Sequence, residues 1–340
     1  MKQLLLALCA ATAICVATDA TLAQSADQHI ADARAIAGDL YQPVEEHLCY
    51  LHSPEDEARL AARRAKAPLQ ATKVFDNFYY LGAEEVASWA LVTSAGIVIF
   101  DTLDNPDEAK ADIVEGMRRL GLDPMKIKYI VLTHGHGDHF GGATYLKGLT
   151  GAKILASDAD DKLMQASKAR AGGPAAWKTL VPTVDQIITD GEVLRVGNTD
   201  ITFHLTPGHT PGTVSSIFQV TAAGKPHTIA FWGGVGVPNQ AAALSQYIQS
   251  AADFKALAAQ ANADVVITNH PHADMTLEWV YQIQHSPNKP NPLIVGPSNV
   301  ARWFSVIQDC ALAEQARIVN GQAAPDRGRG ASAATNANTR

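Results

Sequence analysis

The most chemically informative segment of the chain is a histidine-rich loop at residues 133–139, directly after an apolar run at 129–132. Four of its side chains are good ligands for zinc-type metals: His134, His136, Asp138 and His139. Crowding such polar groups into one short loop costs free energy unless a metal ion draws them together. Histidine makes up only 12 of the 340 residues, so this spacing is rare by chance. The loop therefore predicts a metal site.

The loop supplies more ligands than a single ion can readily take from so few residues. Gly135 and Gly137 lack a Cβ, which lets the backbone turn sharply and approach a metal closely. Two neighbouring metals can share the four donors if other parts of the chain complete their coordination. The remaining donors are therefore expected at the ends of other strands.

Two later segments have the required form. An alternating strand at 201–205 runs into a Pro/Gly turn that carries His209, and a buried strand at 265–268 ends before His270. Three apolar strands thus each end in a histidine-bearing loop, which places a site on one edge of a sheet scaffold.

These landmarks resemble those of the metallo-β-lactamase-fold hydrolases, and the resemblance covers roughly residues 70–275. It implies an α/β fold, an αββα sandwich with the metal site at the shared edge of two sheets, and two Zn²⁺ per chain. It also implies the ligand sets: His134, His136 and His209 for one zinc, and Asp138, His139 and His270 for the other. Asp101, at the end of the strand at 97–100, would support the metal loop without being a ligand.

The fourth family landmark, at 230–234, departs from the common pattern. Most of these hydrolases carry a bridging aspartate there, whereas this chain has Gly233 and Gly234 and no cysteine nearby. The chain is in this respect similar to the third subclass of metallo-β-lactamases. Members active on β-lactams usually carry serines near this landmark, so the glycines, Gly236 included, leave the substrate open.

The resemblance implies an exported dinuclear zinc hydrolase that opens a cyclic amide with a metal-bound hydroxide. Asp138 is the expected catalytic residue, because it would orient the hydroxide and relay a proton. A β-lactam is the leading substrate. The alternatives are a zinc-dependent lactonase or esterase, an iron-dependent oxygenase, and a non-catalytic binding protein on the same fold. The candidate pocket residues are Trp89, Trp232, Gly233, Gly234 and His272; for the two tryptophans, a core position is the commoner outcome for a lone aromatic residue on a strand.

The composition of the chain limits the kinds of partner that it is expected to bind. The net charge of −7 is spread without long blocks of one sign, which argues against nucleic acid because phosphate binding needs clustered Lys and Arg. A small-molecule substrate is expected, and the sequence leaves the oligomeric state open. Residues 1–23 have the pattern of a cleaved signal peptide: a basic start, an apolar segment and small residues before Gln24. We therefore expect a periplasmic or secreted protein with no membrane association after cleavage.

Three further units follow the signal peptide. Residues 24–66 predict a helical extension, residues 67–312 the metallo-β-lactamase-fold domain, and residues 313–340 the end of a C-terminal helix and a disordered tail. Cys49 and Cys310 are the cysteines left after cleavage; they either pair, tying the extension to the C-terminal helix, or remain free thiols.

Local patterns predict the elements between these landmarks. Strands are expected at 75–80, 89–100 and 153–156, and helices at 105–120 and 251–261. The segment at 171–176 contains only Ala, Gly and Pro, which is consistent with a flap over the site or with a surface loop.

Overall fold

A computed structural model describes residues 24–50, 53–66, 69–169 and 175–322. Outside these ranges lie the expected signal peptide, most of the Ala/Gly/Pro segment at 171–176 and the expected tail beyond residue 322. The α-helices are α1 (Ala26–Leu48), α2 (Pro54–Lys66), α3 (Pro106–Glu108), α4 (Glu115–Arg119), α5 (Gly137–Phe140), α6 (Ala143–Thr150), α7 (Asp158–Ala169), α8 (Ala175–Leu180), α9 (Ala241–Gln260), α10 (Thr276–His285) and α11 (Pro297–Val319). A π-helix, Ala109–Val114, joins α3 to α4, and 3-10 helices lie at Pro124–Lys126 and Pro271–Ala273.

Twelve strands form two sheets: β1 (Thr72–Phe75), β2 (Phe78–Tyr80), β3 (Trp89–Thr93), β4 (Gly96–Phe100), β5 (Ile127–Val131), β6 (Lys153–Ser157), β7 (Gln186–Ile188), β8 (Val193–Val196), β9 (Thr199–Leu205), β10 (Val214–Ala222), β11 (Lys225–Trp232) and β12 (Val265–Thr268). The first sheet has the order β1-β2-β3-β4-β5-β6-β7, and the second has the order β12-β11-β10-β9-β8. The first is antiparallel up to β4 and parallel from β4 to β7. In the second, only β11 and β12 run parallel.

The sheets pack face to face because their strands are apolar on both sides. On β4, Val98 and Phe100 belong to the core shared with the second sheet, whereas Ile97 and Ile99 pack with the helices on the outer face. The Phe100 ring stacks on Phe218 of β10 at 5.2 Å between centroids. Helices cover both outer faces, α6 and α7 beside β5 and β6, and α11 beside β12. The predicted αββα sandwich is confirmed.

The helices at the two ends of the chain pack against each other, with α1 lying along α11. The Arg302 guanidinium of α11 donates hydrogen bonds to the Ile36 and Ala37 carbonyls of α1, at 2.9 Å each from Nη2. A disulfide joins Cys49, which caps α1, to Cys310 of α11. Of the two states that the sequence left open, the structure shows the paired one. Across the parts of the chain that the structure describes, no helix has both the length and the apolar character needed to cross a membrane.

Some element boundaries differ from the predictions. The segment at 75–80 divides into β1 and β2, because Asp76 and Asn77 form a turn between them. Helix α9 begins at Ala241, ten residues before the predicted start. Its early turns are rich in alanine, which carries little periodic signal, while Leu244 and Tyr247 bury its inner face.

The topology brings the carboxyl ends of five strands to one edge of the sandwich, including that of β9, which runs in the same direction as β11 and precedes the turn with His209. Strands β4 and β5 are parallel neighbours in the first sheet, and β11 and β12 are parallel neighbours in the second. Parallel neighbours end on the same side, so the residues that follow them are collected there. This edge carries the candidate site.

Candidate metal centre

Two groups of three side chains converge at this edge. Each residue offers one ligand atom, and within each group these atoms all lie within 4.8 Å of one another. The three-histidine group contains His134, His136 and His209, and the aspartate group contains Asp138, His139 and His270. The structure thus places the six predicted ligands in the two predicted sets. His134 and His139 are buried, whereas the His136 ring is exposed.

Backbone carbonyls fix the orientation of two imidazoles in the three-histidine group. His134 Nδ1 donates to the Gly233 carbonyl at 2.9 Å, and His209 Nδ1 donates to the Gly236 carbonyl at 2.8 Å. Because a carbonyl can only accept, both Nδ1 atoms carry the proton, and each neutral ring has its lone pair on Nε2. These Nε2 atoms face each other at 3.2 Å.

The aspartate group is oriented in the same way. His139 Nδ1 donates to Asp101 Oδ2 at 2.8 Å, and His270 Nδ1 donates to the Glu85 carbonyl at 2.7 Å. The Nε2 atoms of these rings lie 3.2 Å and 3.8 Å from Asp138 Oδ2. Although it is close to that oxygen, the buried Nε2 of His139 makes no hydrogen bond of acceptable geometry.

The donor chemistry fits two zinc ions. Facing lone pairs repel each other, and a buried imidazole nitrogen without a partner costs free energy, so both features favour a cation between the donors. Neutral imidazoles oriented through Nδ1 and an ionised carboxylate form the ligand set that Zn²⁺ takes in proteins.

The pKa values of the site favour zinc at the three-histidine group, whereas at His139 zinc has to compete with a proton. Burial lowers the pKa of His209 to about 3 and of His270 to about 4, and it holds the pKa of His134 well below its usual value. Burial opposes ionisation of Asp138, but the adjacent imidazoles outweigh it and keep the pKa of this carboxyl below its usual range. In His139 burial opposes protonation, yet the Asp138 and Asp101 carboxylates raise its pKa to about 10.

Asp101 lies where the sequence predicts a supporting residue, and it holds the histidine loop through several hydrogen bonds. Its Oδ1 accepts the Thr133 N–H at 2.8 Å, and its Oδ2 accepts the Thr133 hydroxyl at 2.7 Å in addition to His139. The backbone of Asp101 has φ of 57°, in the left-handed region that non-glycine residues rarely adopt. The fold keeps this strained conformation at the point where β4 meets the metal loop.

Asp160, in the first turn of α7, joins the two loops of the three-histidine group. Its Oδ2 accepts the Gly135 N–H at 2.9 Å and the Thr210 hydroxyl at 2.6 Å, and its Oδ1 accepts the Gly212 N–H at 2.8 Å. The two glycines permit this approach, since a Cβ on Gly212 would lie 2.1 Å from Ser157 Oγ. One buried carboxylate therefore positions the loops that carry all three histidines.

Asn269 makes a corresponding link between the two sheets. Its Nδ2 donates to the Gly233 carbonyl at 2.7 Å and to Thr133 Oγ1 at 2.8 Å. No sequence pattern indicates either Asp160 or Asn269 as a supporting residue. Asp160 is one of three acidic residues in the first turn of α7, and no spacing rule distinguishes it from the other two.

Two of the candidate pocket residues lie in the core, and the others lie beside the metal ligands. Trp89 and Trp232 are fully buried, so of the two positions that the sequence left open, the structure shows the core position for both. Trp89 stacks on Phe78 inside the sandwich, and Trp232 packs against Tyr247 beneath α9. Both rings fill the core because a β-strand directs alternate side chains into the packed layers.

The other pocket candidates lie close to the ligands. Gly233 contributes only its carbonyl, and a Cβ on Gly234 would lie 2.7 Å from the Cβ of His209. A Cβ on Gly236 would lie 2.9 Å from His209 Cε1. His272 is buried, and its ring lies 5.5 Å from that of His270.

Comparison with known sequences supports the resemblance to metallo-β-lactamase-fold hydrolases. Residues 81–220 match the Metallo-beta-lactamase superfamily. The hydroxyacylglutathione hydrolase GloC of Haemophilus influenzae is 30% identical over 143 residues, which cover 38% of this chain and 66% of that protein. A hydroxyacylglutathione hydrolase of Mesorhizobium japonicum is 33% identical over 113 residues, which cover 33% of this chain and only 36% of that protein.

Solved structures give a complementary result. A subclass B3 metallo-beta-lactamase of Bradyrhizobium japonicum superposes with a TM-score of 0.59 at 27% identity, covering 73% of this chain and 95% of that one. A subclass B3 enzyme from a soil metagenome library gives a TM-score of 0.62 at 24% identity, covering 76% and 99%. At that identity the second match shows the fold alone.

Proposed function

We propose that this chain, of which residues 81–220 match the Metallo-beta-lactamase superfamily, is a dinuclear zinc hydrolase that opens a cyclic amide and that its substrate is a β-lactam. The observation that carries the proposal is the pair of adjacent donor groups, three histidines beside one aspartate and two histidines. In the part of the chain described by the structure, no further aspartate or cysteine joins these groups. These six side chains would hold the two ions, and water would supply the nucleophile.

Zinc held by these residues would supply Lewis acidity, which polarises a substrate carbonyl and makes water acidic enough to deprotonate near neutral pH. The chain's own residues would orient the reacting water. The Asp138 carboxylate is ionised, with Oδ2 facing two imidazoles, so its other oxygen would accept a hydrogen bond from that water. Asp101 accepts the hydrogen bond from His139 Nδ1 and would thereby keep Nε2 of that ring directed into the site as a zinc ligand.

The identity of the ligands favours a β-lactam. Three-histidine and aspartate-histidine-histidine sets without a bridging protein ligand resemble the third metallo-β-lactamase subclass, and a subclass B3 enzyme covers most of this chain. The glycines beside His209 leave no side chain there for a substrate carboxylate. A substrate carboxylate would therefore have to be bound by groups outside this stretch.

A thioester is the second candidate, because the curated relatives are hydroxyacylglutathione hydrolases. The chain spans 66% of one of these relatives and 36% of the other, so their activity is a hypothesis here. Lactones and carboxylic esters are attacked by the same chemistry.

A substrate panel separates these candidates. Purified protein loaded with two equivalents of zinc is assayed with a chromogenic cephalosporin, S-lactoylglutathione and a lactone series. We expect chelator-sensitive cephalosporin turnover, abolished by His136→Ala. Thioester turnover without cephalosporin turnover would reassign the substrate, and iron in the protein as isolated would favour the oxygenase alternative.

We also propose that the protein is exported and that residues 24–66 and 67–312 form a helical extension and a catalytic domain. The Cys49–Cys310 disulfide supports an oxidising compartment. Cell fractionation and N-terminal sequencing of the mature protein test this, with cleavage after residue 23 as the expected result.

A further inference from the structure

We infer that Arg63 of α2 is a positioning residue for the aspartate group and that the N-terminal helices are therefore part of the metal centre. Arg63 lies well before the segment that matches the superfamily, residues 81–220. The inference rests on the two-zinc site of the proposed function and concerns one of the two zincs only.

Arg63 holds the chain immediately after His270. Its Nη1 donates to the His272 carbonyl at 2.9 Å, while Nε and Nη2 bind the two carboxylate oxygens of Glu278 at 2.6 Å and 3.0 Å. A fork-shaped contact of this kind fixes direction as well as distance. One guanidinium thus joins α2 to the 3-10 turn after His270 and to α10.

The neighbouring Arg64 reaches the other support of His270. The Glu85 carbonyl orients the His270 ring, and Arg64 Nη1 lies 2.6 Å from Oε1 of the same glutamate. The backbones are also linked, because the Ala87 N–H donates to the Asn269 carbonyl at 2.8 Å. Helix α2 therefore contacts both segments that fix the direction of His270.

The contacts made by the two arginines differ in strength. The Glu85 side chain is 67% exposed, so its ion pair with Arg64 is screened by solvent and weak. The Arg63 and Glu278 side chains are 16% and 35% exposed, and their contact is bidentate with an additional bond to a carbonyl. Arg63 is consequently the residue whose loss should matter.

Ring packing from the same helices supports this position. The His47 ring of α1 meets the His272 ring edge-on at 4.8 Å, and Asp56 of α2 lies 3.0 Å from His47 Nδ1. The three-histidine group has different supports, since His134 and His209 are oriented by the carbonyls of Gly233 and Gly236. Loss of the Arg63 contacts should therefore affect one metal and spare the other.

The test measures zinc release from the full-length holoprotein into a chromophoric chelator. Arg63→Met keeps most of the aliphatic side chain and removes the guanidinium group that makes these hydrogen bonds. The matched control is Arg59→Met, one turn earlier on α2, because Arg59 donates to the Glu46 carbonyl of α1 at 3.1 Å and touches neither support of His270. Loss of a group that orients a ligand typically changes metal affinity about 10- to 100-fold.

We expect Arg63→Met to release one of its two zincs about 10- to 100-fold faster than wild type, with the other rate unchanged and Arg59→Met like wild type. If Arg63→Met does not fold, as judged by circular dichroism, Arg63→Lys and Glu278→Gln replace it and should show a smaller acceleration of the same single zinc. Equal acceleration of both zincs, or identical rates in the Arg63 and Arg59 variants, would overturn the inference. A wild-type protein that binds two zincs but hydrolyses none of the substrates refutes the proposed function and leaves this result intact, whereas failure to bind a second zinc refutes both.

Discussion

Removing the Cys49–Cys310 disulfide should cause a large loss of stability. The two cysteines are 261 residues apart, so the bond closes most of the described chain into one loop. Both side chains are buried, at 2% and 1% exposure, in the interface between α1 and α11. The bond therefore restricts the unfolded chain far more than it changes the surface of the folded one.

The expected magnitude follows from loop closure. The chain-entropy relation, about −2.1 − 1.5R ln n cal/mol/K, gives about 5–6 kcal/mol for a loop of this length at 25 °C. Measured disulfide contributions are typically about 2–5 kcal/mol, because unfolded chains keep some residual structure. We therefore expect Cys49→Ala/Cys310→Ala to lower the free energy of unfolding by about 3–5 kcal/mol.

Guanidinium unfolding followed by circular dichroism measures the effect. Wild-type protein unfolded and refolded in reductant is the matched control, since it lacks the cross-link but keeps both sulfur atoms in the core. The double variant should also show a steeper denaturant dependence, because its unfolded chain exposes more surface. A difference below about 1 kcal/mol between oxidised and reduced wild type would refute the loop-closure argument.

Three further predictions concern the metal centre. Asp101→Asn leaves His139 without its charged partner, so the aspartate group should bind zinc about 10- to 100-fold more weakly, as measured by chelator competition; unchanged affinity would contradict the role given to Asp101. Asp160→Asn keeps the shape but turns an amide N–H toward one of three donors, so zinc loss should be confined to the three-histidine group; equal loss from both groups would indicate a general folding defect. The raised pKa of His139 sets the pH dependence: its ring is protonated in the metal-free protein well above pH 7 and must lose that proton to bind zinc, so the apparent affinity of the aspartate group should rise about tenfold per pH unit between pH 6 and 8. A flat profile in chelator competition across that range would refute this assignment.

Much of the metal centre can be predicted from the sequence because its ligands are local. His134, His136, Asp138 and His139 lie within six residues, and His209 and His270 each follow a recognisable apolar strand. Covalent spacing alone places such side chains at strand ends. The resemblance then assigned them to two groups, and the structure forms those groups.

The residues that hold the ligands could not be found in this way, because their partners are distant in the chain. Asp160 acts on loops 25 and 52 residues away, and Arg63 acts on a carbonyl 209 residues away. A lone aspartate or arginine on a helix carries no local sign of such a partner. The two tryptophans show the same limit, since only packing decides whether an aromatic residue on a strand faces the core or a cleft.

Residue types and their spacing are enough to predict the donor set of the candidate site: imidazole and carboxylate groups that follow strands whose apolar residues require a packed sandwich. What surrounds those donors depends on the folded chain. Folding joined Cys49 to Cys310, placed Arg63 beside the turn after His270, and packed glycines against His209. The physical reason is that ligand identity is a property of single residues, whereas orientation and burial arise from contacts between residues that only folding brings together.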